Sequence, residues 1–170
     1  ASYDAAGGGR THRAPEDVAL MYTVPRCAVF VPGHPDEVGP ILRNAVEGAG
    51  EGAGEGEGIA YIRLGDEENR EPILEGAEGI AKVKHGSVAT VLAVGPALQP
   101  VLDGCSDLDL TVLYTASPRP LDERSLLSAV GATDVVLVEP YLEGTSTADI
   151  TRILSDKPRR FTSVGVPLGE

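Results

Sequence analysis

Short apolar runs alternate with amphipathic segments along the first part of the chain. Pro15 suits the first turn of a helix, and the residues after it give this helix one apolar side. Residues 27–31 are a continuous apolar run, which predicts a buried strand. A second helix is predicted next, because its apolar residues have the spacing of an amphipathic helix; they are Val38, Ile41, Leu42, Ala45 and Val46. Residues 59–64 predict another strand.

Two polar segments interrupt this alternation. Residues 47–58 consist only of glycine, glutamate and alanine. Glycine raises the entropic cost of ordering the backbone and the glutamates repel one another, so this segment is predicted to be a flexible surface insertion without chemistry. Residues 65–85 are polar and irregular, and they predict a linker between two units.

The second half of the chain repeats an alternation of strands and helices. Four apolar runs predict strands, at residues 88–94, 108–114, 135–138 and 161–166. The segments between them predict helices, one with Asp122 as its N-cap and one capped by Ser146 or Thr147. Apolar strands separated by amphipathic helices indicate a mostly parallel sheet that is covered on both faces. The predicted fold class is therefore α/β, with two small three-layer units.

Composition and charge narrow the classes of function. The 170 residues are 42% hydrophobic but only 4% aromatic, so the core must be aliphatic. The net charge of -12 argues against binding to nucleic acid and to an anionic membrane surface. No apolar run reaches the roughly 20 residues of a membrane helix, and no signal-peptide pattern opens the chain.

The patterns that bind metals and phosphates do not occur in the chain. Cys27 and Cys105 lie outside any C-x-x-C motif and among apolar neighbours, which predicts buried thiols in a reducing, cytoplasmic compartment. Asp107 and Asp109 are better explained as a polar turn before a strand than as a metal site. There is no G-x-x-x-x-G-K-[ST] loop, and the glycines at 7–9 do not join a strand to a helix. The patterns alone assign no cofactor and no metal.

The order of features from Gly8 to Glu37 resembles one stretch of transketolases. In that family a loop of the type Asp-Gly-Pro-Thr-His precedes a helix, a short strand and a Pro-x-x-x-x-Glu turn into another helix. Here the loop ends in Thr11 and His12, the helix begins at Pro15, and Glu37 ends the turn. The pair of Thr11 and His12 favours transketolases and deoxyxylulose-phosphate synthases over the β-subunits of 2-oxo-acid dehydrogenases.

Later segments of the chain resemble the rest of the same family. Residues 60–65 are similar to the strand that closes its pyrimidine-binding domain. Three elements resemble its C-terminal domain, and they are Val91-Leu-Ala-Val-Gly95, Arg119-Pro-Leu-Asp122, and Val136-Leu-Val-Glu139 followed by Gly144. The resemblance implies three regions: the end of a pyrimidine-binding domain at 1–64, a linker at 65–85, and at 86–170 a C-terminal domain with a mostly parallel five-stranded sheet.

This resemblance implies a transferase that uses thiamine diphosphate with Mg²⁺ to move a two-carbon ketol unit from a ketose to an acceptor aldehyde. His12 matches the family's loop histidine, which hydrogen-bonds substrate and intermediate oxygens. A histidine suits this role because it can donate to a developing alkoxide and also shuttle a proton. Thr11, Arg10 and Arg13 are the candidate substrate-binding residues, since either arginine could bind a phosphate or a carboxylate.

Three positions depart from the family's pattern, and one of them is Arg10, which replaces the proline of the motif. Gly8 stands where the family has an Asp that contacts a substrate hydroxyl, and Asp66 stands where an Arg often contacts a substrate phosphate. We therefore expect a specialised donor or acceptor. Two alternatives stay open: a non-catalytic assembly or regulatory module of the same fold, and the β-part of a 2-oxo-acid decarboxylating complex.

The resemblance also predicts that this chain works with another. The family's activating glutamate and its Mg²⁺- and diphosphate-binding element lie upstream of the histidine loop, and only eleven residues precede His12. We therefore expect a C-terminal subunit or fragment that is active only in a homo- or hetero-oligomer with a diphosphate-binding partner. The sequence does not identify cofactor-binding residues in this chain.

Overall fold

The computed structural model describes residues 14–47, 58–76 and 79–168. Residues 48–57 of the predicted glycine–glutamate insertion lie outside these ranges. The described residues form two sheets, one of two strands and one of five. Helices accompany both sheets, which confirms the predicted α/β class.

The smaller sheet belongs to the first unit. Its elements follow the hydrophobic pattern, and they are helix α1 (Asp17–Tyr22), strand β1 (Cys27–Phe30), helix α2 (Pro35–Glu47) and strand β2 (Ile59–Ile62). Each helix begins with acidic side chains, where they interact favourably with the helix dipole. β1 and β2 pair in parallel, with Cys27 opposite Ile59 and Phe30 opposite Ile62.

The larger sheet organises the second unit. Its strands are β3 (Ala81–Lys84), β4 (Ala89–Val94), β5 (Leu110–Thr115), β6 (Asp134–Leu142) and β7 (Arg160–Val166). The helices between them are α3 (Leu98–Gly104), α4 (Glu123–Ala129) and α5 (Thr147–Ile153), and two 3₁₀ turns lie at Gly95–Ala97 and Leu154–Asp156. The strand order is β3-β5-β4-β6-β7, and the neighbours are parallel except for β3 and β5. The prediction of a mostly parallel five-stranded sheet is confirmed. Asp122 caps α4 as predicted, because its side chain accepts a hydrogen bond from Ser125 N.

Two strands differ from their predictions. β3 lies within residues 65–85, which were predicted to be irregular, and for its four residues that prediction is wrong. Its alternation of half-buried Ala81 and Val83 around exposed Lys82 is too short to be distinctive, and pairing with β5 stabilises it. β6 continues beyond its predicted end at residue 138, and Pro140, which cannot donate to a ladder, lies where the register with β7 shifts. The boundaries of the predicted domains stay predictions.

The core is mainly aliphatic, although Phe30, Tyr114 and Tyr141 are also buried in it, and it is shared by the two units. Successive residues of the larger sheet belong to two groups of buried side chains, so the groups lie on opposite faces of that sheet. Val29 of β1 belongs to the same group as Leu92 of β4. Phe30 of β1 belongs to the other group, with Leu98 of α3. The first unit therefore packs directly on the second.

The buried carboxylate of Glu37 joins three segments of the chain. Its side chain is fully buried. Oε2 accepts hydrogen bonds from Gly33 N at 2.9 Å and from the Tyr114 hydroxyl at 2.5 Å. Oε1 accepts from Ile73 N at 3.0 Å and from Leu74 N at 3.2 Å. Burial and the charge of Glu37 raise the pKa of Tyr114 well above its ordinary value, so the phenol stays protonated and donates.

Gly33 lies where no side chain fits. A Cβ at this position would lie 2.1 Å from Asn69 Nδ2 and 2.7 Å from the Tyr114 hydroxyl. The Gly33 carbonyl accepts from Asn69 N at 2.7 Å, and Asn69 Nδ2 donates to the Gly95 carbonyl at 3.3 Å. This close approach fixes the turn before α2 against the turn after β4.

Two predictions from composition can be compared with the structure. Cys27 is buried as predicted, whereas Cys105 is only half-buried because it follows the exposed end of α3. Both thiols are free. Within the described ranges, no helix combines the length and the apolar sequence that crossing a bilayer requires.

We expect Glu37→Ala to destabilise the protein by at least about 3 kcal/mol, because three backbone N–H groups and a phenol lose their acceptor in a buried site. Chemical denaturation of the full polypeptide measures the loss. Asp36→Ala is the matched control, since the Asp36 side chain is 76% exposed in the same helical turn. It should cost less than about 1 kcal/mol. Equal losses in the two variants would contradict the role assigned to Glu37.

Candidate functional site

The four residues that the sequence assigned to the site lie outside the described part of the chain. They are Arg10, Thr11, His12 and Arg13, and their roles stay predictions. The described residues begin at Ala14, directly after them. The described part of the candidate site therefore consists of the groups that fix Ala14, Pro15 and α1 in position.

The backbone that follows His12 is attached to the end of β6. The Ala14 carbonyl accepts from Asp17 N at 3.1 Å, and the Pro15 carbonyl accepts from Leu142 N at 2.7 Å. Ala14 has a φ of 38°, a left-handed conformation that costs a non-glycine residue about 1–2 kcal/mol. Such strain occurs most often at functional sites, where surrounding contacts maintain it. The bond from β6 and the turn into α1 are the contacts that maintain it here.

A buried ion pair connects α1 to the end of β2. Arg63 is only 5% exposed, and its Nε donates to Asp17 Oδ2 at 2.9 Å and to Oδ1 at 3.2 Å. The Tyr61 hydroxyl donates to Asp17 Oδ2 at 2.8 Å. Burial, followed by the hydrogen bond to Asp17, raises the pKa of Tyr61 to about 12. The first residue of α1 is thereby fixed by two side chains that leave β2.

The carboxyl of Glu139 organises the turn after β6. Oε1 accepts from Gly144 N at 2.6 Å and from the Ser163 hydroxyl at 3.3 Å, and Oε2 accepts from Ser146 N at 3.2 Å. Gly144 has a φ of 85°, which glycine adopts without strain. Burial raises the pKa of Glu139 even though these donors favour the charged form. The Glu-x-x-x-x-Gly pattern is therefore a turn closed by a buried carboxyl group.

A second polar network joins this turn to α1. The Ser146 hydroxyl lies 2.9 Å from the Tyr141 hydroxyl and 3.3 Å from that of Tyr22. The Tyr22 hydroxyl donates to the Pro118 carbonyl at 3.0 Å, and the Arg119 guanidinium lies 5.1 Å from the centre of the Tyr22 ring. Burial raises the pKa of Tyr22 to about 12 and that of Tyr141 well above its ordinary value. Ser146 precedes α5 without capping it, because its hydroxyl is engaged here.

These groups are suited to positioning and not to acid–base chemistry. The raised pKa values keep the tyrosines protonated near neutral pH, so they act as fixed hydrogen-bonding groups. Among the described residues, no group of three or more histidine, cysteine, aspartate or glutamate side chains could hold a metal ion.

The sequence analysis assigned no role to Arg63, Tyr61 or Asp17. The signal that could have identified them is the arginine itself, which interrupts the apolar run that begins at Ile59. A charge inside an apolar strand requires a partner, and Asp17 is that partner. Of the three positions that depart from the family pattern, Asp66 is exposed after β2, and Gly8 and Arg10 lie outside the described residues.

Curated relatives match the chain over most of its length. No family model matches it. The chain is 39% identical over 169 residues to an uncharacterised 33.6 kDa protein of the fasciation locus of Rhodococcoides fascians, covering 98% of this chain and 52% of that protein. It is 29% identical over 156 residues to 1-deoxy-D-xylulose-5-phosphate synthase 2 of Geobacter sulfurreducens, covering 88% of this chain and 25% of that protein. It is 29% identical over 164 residues to transketolase-like protein 2 of Bos taurus, with 88% and 25% covered.

A solved structure shares the fold of both units. It is described as a split gene transketolase, inactive beta4 tetramer, and it matches with a TM-score of 0.75 and 26% identity. The match covers 96% of this chain and 55% of that one. The chain thus spans about half the length of this structure and of the Rhodococcoides fascians protein, and a quarter of the other two relatives.

The raised pKa of Glu139 makes stability depend on pH. The fold favours the protonated form, so this group's contribution is present below pH 4.5 and declines as the pH rises through the folded-state pKa. Glu139→Gln does not titrate, so we expect the free energy of unfolding of the wild type to fall relative to this variant as the pH rises above 4.5. Urea denaturation at several pH values measures the difference, and Glu143→Gln, at an exposed position close to Glu139 in the chain, is the control for the chemical change itself. A gap that is independent of pH, or that changes in the opposite sense, would overturn this expectation.

The fold, the motifs and the relatives lead to the same assignment. The elements that resembled transketolases occur in the predicted order along the structure, from the helix after the histidine loop to the turn closed by Glu139. Relatives with transketolase and synthase names match across both units, and so does the solved structure. In sequence and in fold, the chain is similar to the C-terminal part of transketolase-family proteins.

Proposed function

We propose that this chain is the C-terminal part or subunit of a thiamine-diphosphate-dependent enzyme that transfers a two-carbon ketol unit from a ketose-type donor to an acceptor. The likeness to a split gene transketolase over 96% of the chain is the observation that carries this proposal. The relatives that are named as a transketolase-like protein and as deoxyxylulose-phosphate synthases support it. The enzyme would work in the cytoplasm as an oligomer.

The smaller sheet supports the need for a further chain or region. Among the described residues, β2 pairs only with β1, and parallel sheets are normally larger and covered on both faces. Ile59 of β2 is 53% exposed, and Leu42 and Val46 of α2 are 53% and 68% exposed. Apolar side chains at an open sheet edge indicate a surface that another part of the enzyme covers. We assign that role to the region or partner chain that carries the diphosphate-binding domain.

His12 is the residue that we propose to be catalytic. It lies two residues before Ala14, whose backbone is held between α1 and β6. An imidazole at this anchored point can donate to a substrate oxygen and transfer a proton. Thr11, Arg10 and Arg13 would contact the substrate, and the arginines would bind its phosphate or carboxylate.

Thiamine diphosphate would supply the stabilisation of the substrate-derived carbanion in such an enzyme. Among the described residues, no group of three or more histidine, cysteine, aspartate or glutamate side chains could hold its metal ion, and we assign the metal and diphosphate site to the partner chain or region. The contribution that we assign to this chain is residues 10–13, which directly precede the anchored Ala14.

A non-catalytic assembly module is the second candidate function. Gly8 and Asp66 favour it, because both replace side chains with which the family contacts substrate. The solved neighbour is itself described as an inactive tetramer. A lack of activity in an assembly that contains only this chain would therefore not distinguish the enzyme subunit from the non-catalytic module. Only turnover by the complete assembly does.

We expect His12→Ala to lower ketol transfer about a hundredfold or more in the complete assembly, because general acid–base groups contribute at least that much. The assay follows transfer from a ketose phosphate to an aldehyde acceptor, with and without added thiamine diphosphate. His85→Ala is the matched control, since His85 is exposed beside β3 and has no assigned role. Its turnover should equal that of the wild type.

Other outcomes of this assay would change the assignment. Unchanged turnover in His12→Ala would remove His12 from the catalytic residues. Absence of ketol transfer in the wild-type assembly with its cofactor would favour the assembly module. Consumption of a 2-oxo acid such as pyruvate in place of ketoses would favour the β-part of a decarboxylating complex.

A further inference from the structure

β7 is an open edge of the larger sheet. Among the described residues it pairs with β6 alone, since the strand order of the sheet ends at β7. The Arg160 N–H donates to the Thr133 carbonyl at 3.0 Å, so the backbone groups of residues 160, 162 and 164 face β6. The backbone groups of the alternate residues, which are Phe161, Ser163 and Gly165, therefore point away from the sheet.

The opposite edge of the sheet is protected in ways that β7 is not. β3 has only four residues, two of them lysines, and its pairing with β5 is irregular between Lys82 and Lys84. Short length, lysine side chains and irregular pairing keep natural edge strands from pairing with other chains. β7 has seven residues and no proline, and its pairing with β6 is regular from Arg160 to Val164. It therefore keeps the properties of a strand to which another strand can add.

The charge within β7 does not protect this edge either. Arg160 is the charged residue of the strand, and its Nη2 donates to Asp134 Oδ2 at 2.8 Å, so its charge is balanced within the same chain. The other exposed side chains of the strand are Thr162 and Val164, and Val164 is 47% exposed. Both are uncharged and β-branched, which suits them to packing across a pair of strands.

The charges at the two ends of β7 favour a second copy of this chain as the partner. At the beginning of the strand, residues 157–160 contain three cationic side chains, and the two carboxylates that pair with them are Asp134 and Asp156. At its end, the exposed Glu143 donates its N–H to the Val166 carbonyl at 2.9 Å. An antiparallel copy would place the basic end of each β7 beside the acidic end of the other, whereas a parallel copy would place like charges together.

The sequence of β7 also fits pairing with itself. Full overlap of two antiparallel copies places Ser163 opposite Ser163. The other opposite pairs in this register are Phe161 with Gly165, Thr162 with Val164, and Arg160 with Val166. No charged residue of the strand then faces a like charge, and its largest side chain faces its glycine. The residues whose backbone groups point outward become the hydrogen-bonded pairs of the new ladder.

The geometry points to β7 as a self-association edge, at which two copies of this chain join their larger sheets by antiparallel pairing around a two-fold axis at Ser163. This inference goes beyond the proposed ketol transfer and does not depend on it, because it concerns assembly and not turnover. It rests on the open edge of β7, on its contrast with β3, and on the opposite charges at its two ends.

The test is a disulfide cross-link between two differently tagged copies of the full polypeptide. One copy carries Thr162→Cys and the other Val164→Cys, both in a Cys105→Ser background because Cys105 is a half-buried free thiol. The Cα atoms of this non-hydrogen-bonded pair would lie about 4.5 Å apart, which suits a disulfide. With oxidised glutathione as the oxidant, we expect a cross-link in the mixture and none in either variant alone. Lys82→Cys, at an exposed position of β3, is the matched control and should not cross-link to Thr162→Cys.

A charge placed on the edge gives a second measurement. Val164→Lys adds an unbalanced cation to both strands of the pair, so self-association measured by sedimentation should weaken about tenfold or more. Val88→Lys is the matched control, because Val88 is 65% exposed in front of β4 and β6 separates β4 from β7. It should leave self-association unchanged.

The inference would be overturned by absence of the mixed cross-link, by equal cross-linking of the Lys82→Cys control, or by self-association that Val164→Lys does not change. Sedimentation of the wild type as a single copy would overturn it as well, since another segment or partner would then cover the edge. These outcomes are read without measuring turnover, so they are separate from the fate of His12.

Discussion

The packing of this protein depends on one buried carboxylate, that of Glu37. Removing an ionised group from water is costly unless hydrogen bonds replace the lost solvation, and here four donors do so. The donors come from the turn before α2, from the segment after β2 and from β5, so the first unit cannot separate from the larger sheet without breaking the hydrogen bond of Tyr114 to Glu37. The same contacts bring Gly33 against Asn69 and fix the turn after β4. That turn forms part of the wall of a cavity at the larger sheet.

A second set of buried polar groups extends this order toward the N-terminal end of the described chain. Asp17 and Arg63 hold α1 to β2, and Tyr22, Ser146 and Tyr141 hold it to the turn after β6. Burial raises the pKa of Tyr22 and of Tyr141, so both phenols stay protonated near neutral pH. The physical role of these groups is to fix the position of the backbone at Ala14 and Pro15, two residues after His12 in the sequence.

Much of this architecture could be predicted from sequence, for identifiable reasons. Strands buried on both faces are continuous apolar runs, and the cap at Asp122 is a local interaction, so both were recognised. β3 was missed because four residues carry too little periodicity, and the extension of β6 was missed because Pro140 usually ends a strand. The roles of Glu37 and Glu139 could not be derived from pattern, since their donors lie up to 77 residues away in the chain. Family resemblance identified both glutamates as landmarks, and only the structure shows what they bind. The ion pair of Arg63 joins residues 46 positions apart, and it too lies beyond local sequence signals.

The set of contacts around Glu37 also limits how related genes can recombine. A crossover between residues 37 and 114 would bring a carboxylate from one parent against a phenol and two backbone amides whose placement comes from another. The stretch from Gly33 to Tyr114 includes β3, β4 and most of β5, so exchange of the larger sheet alone would divide it. These contacts favour inheritance of that stretch from one parent. Chimaeras within this family should have their junctions outside that stretch.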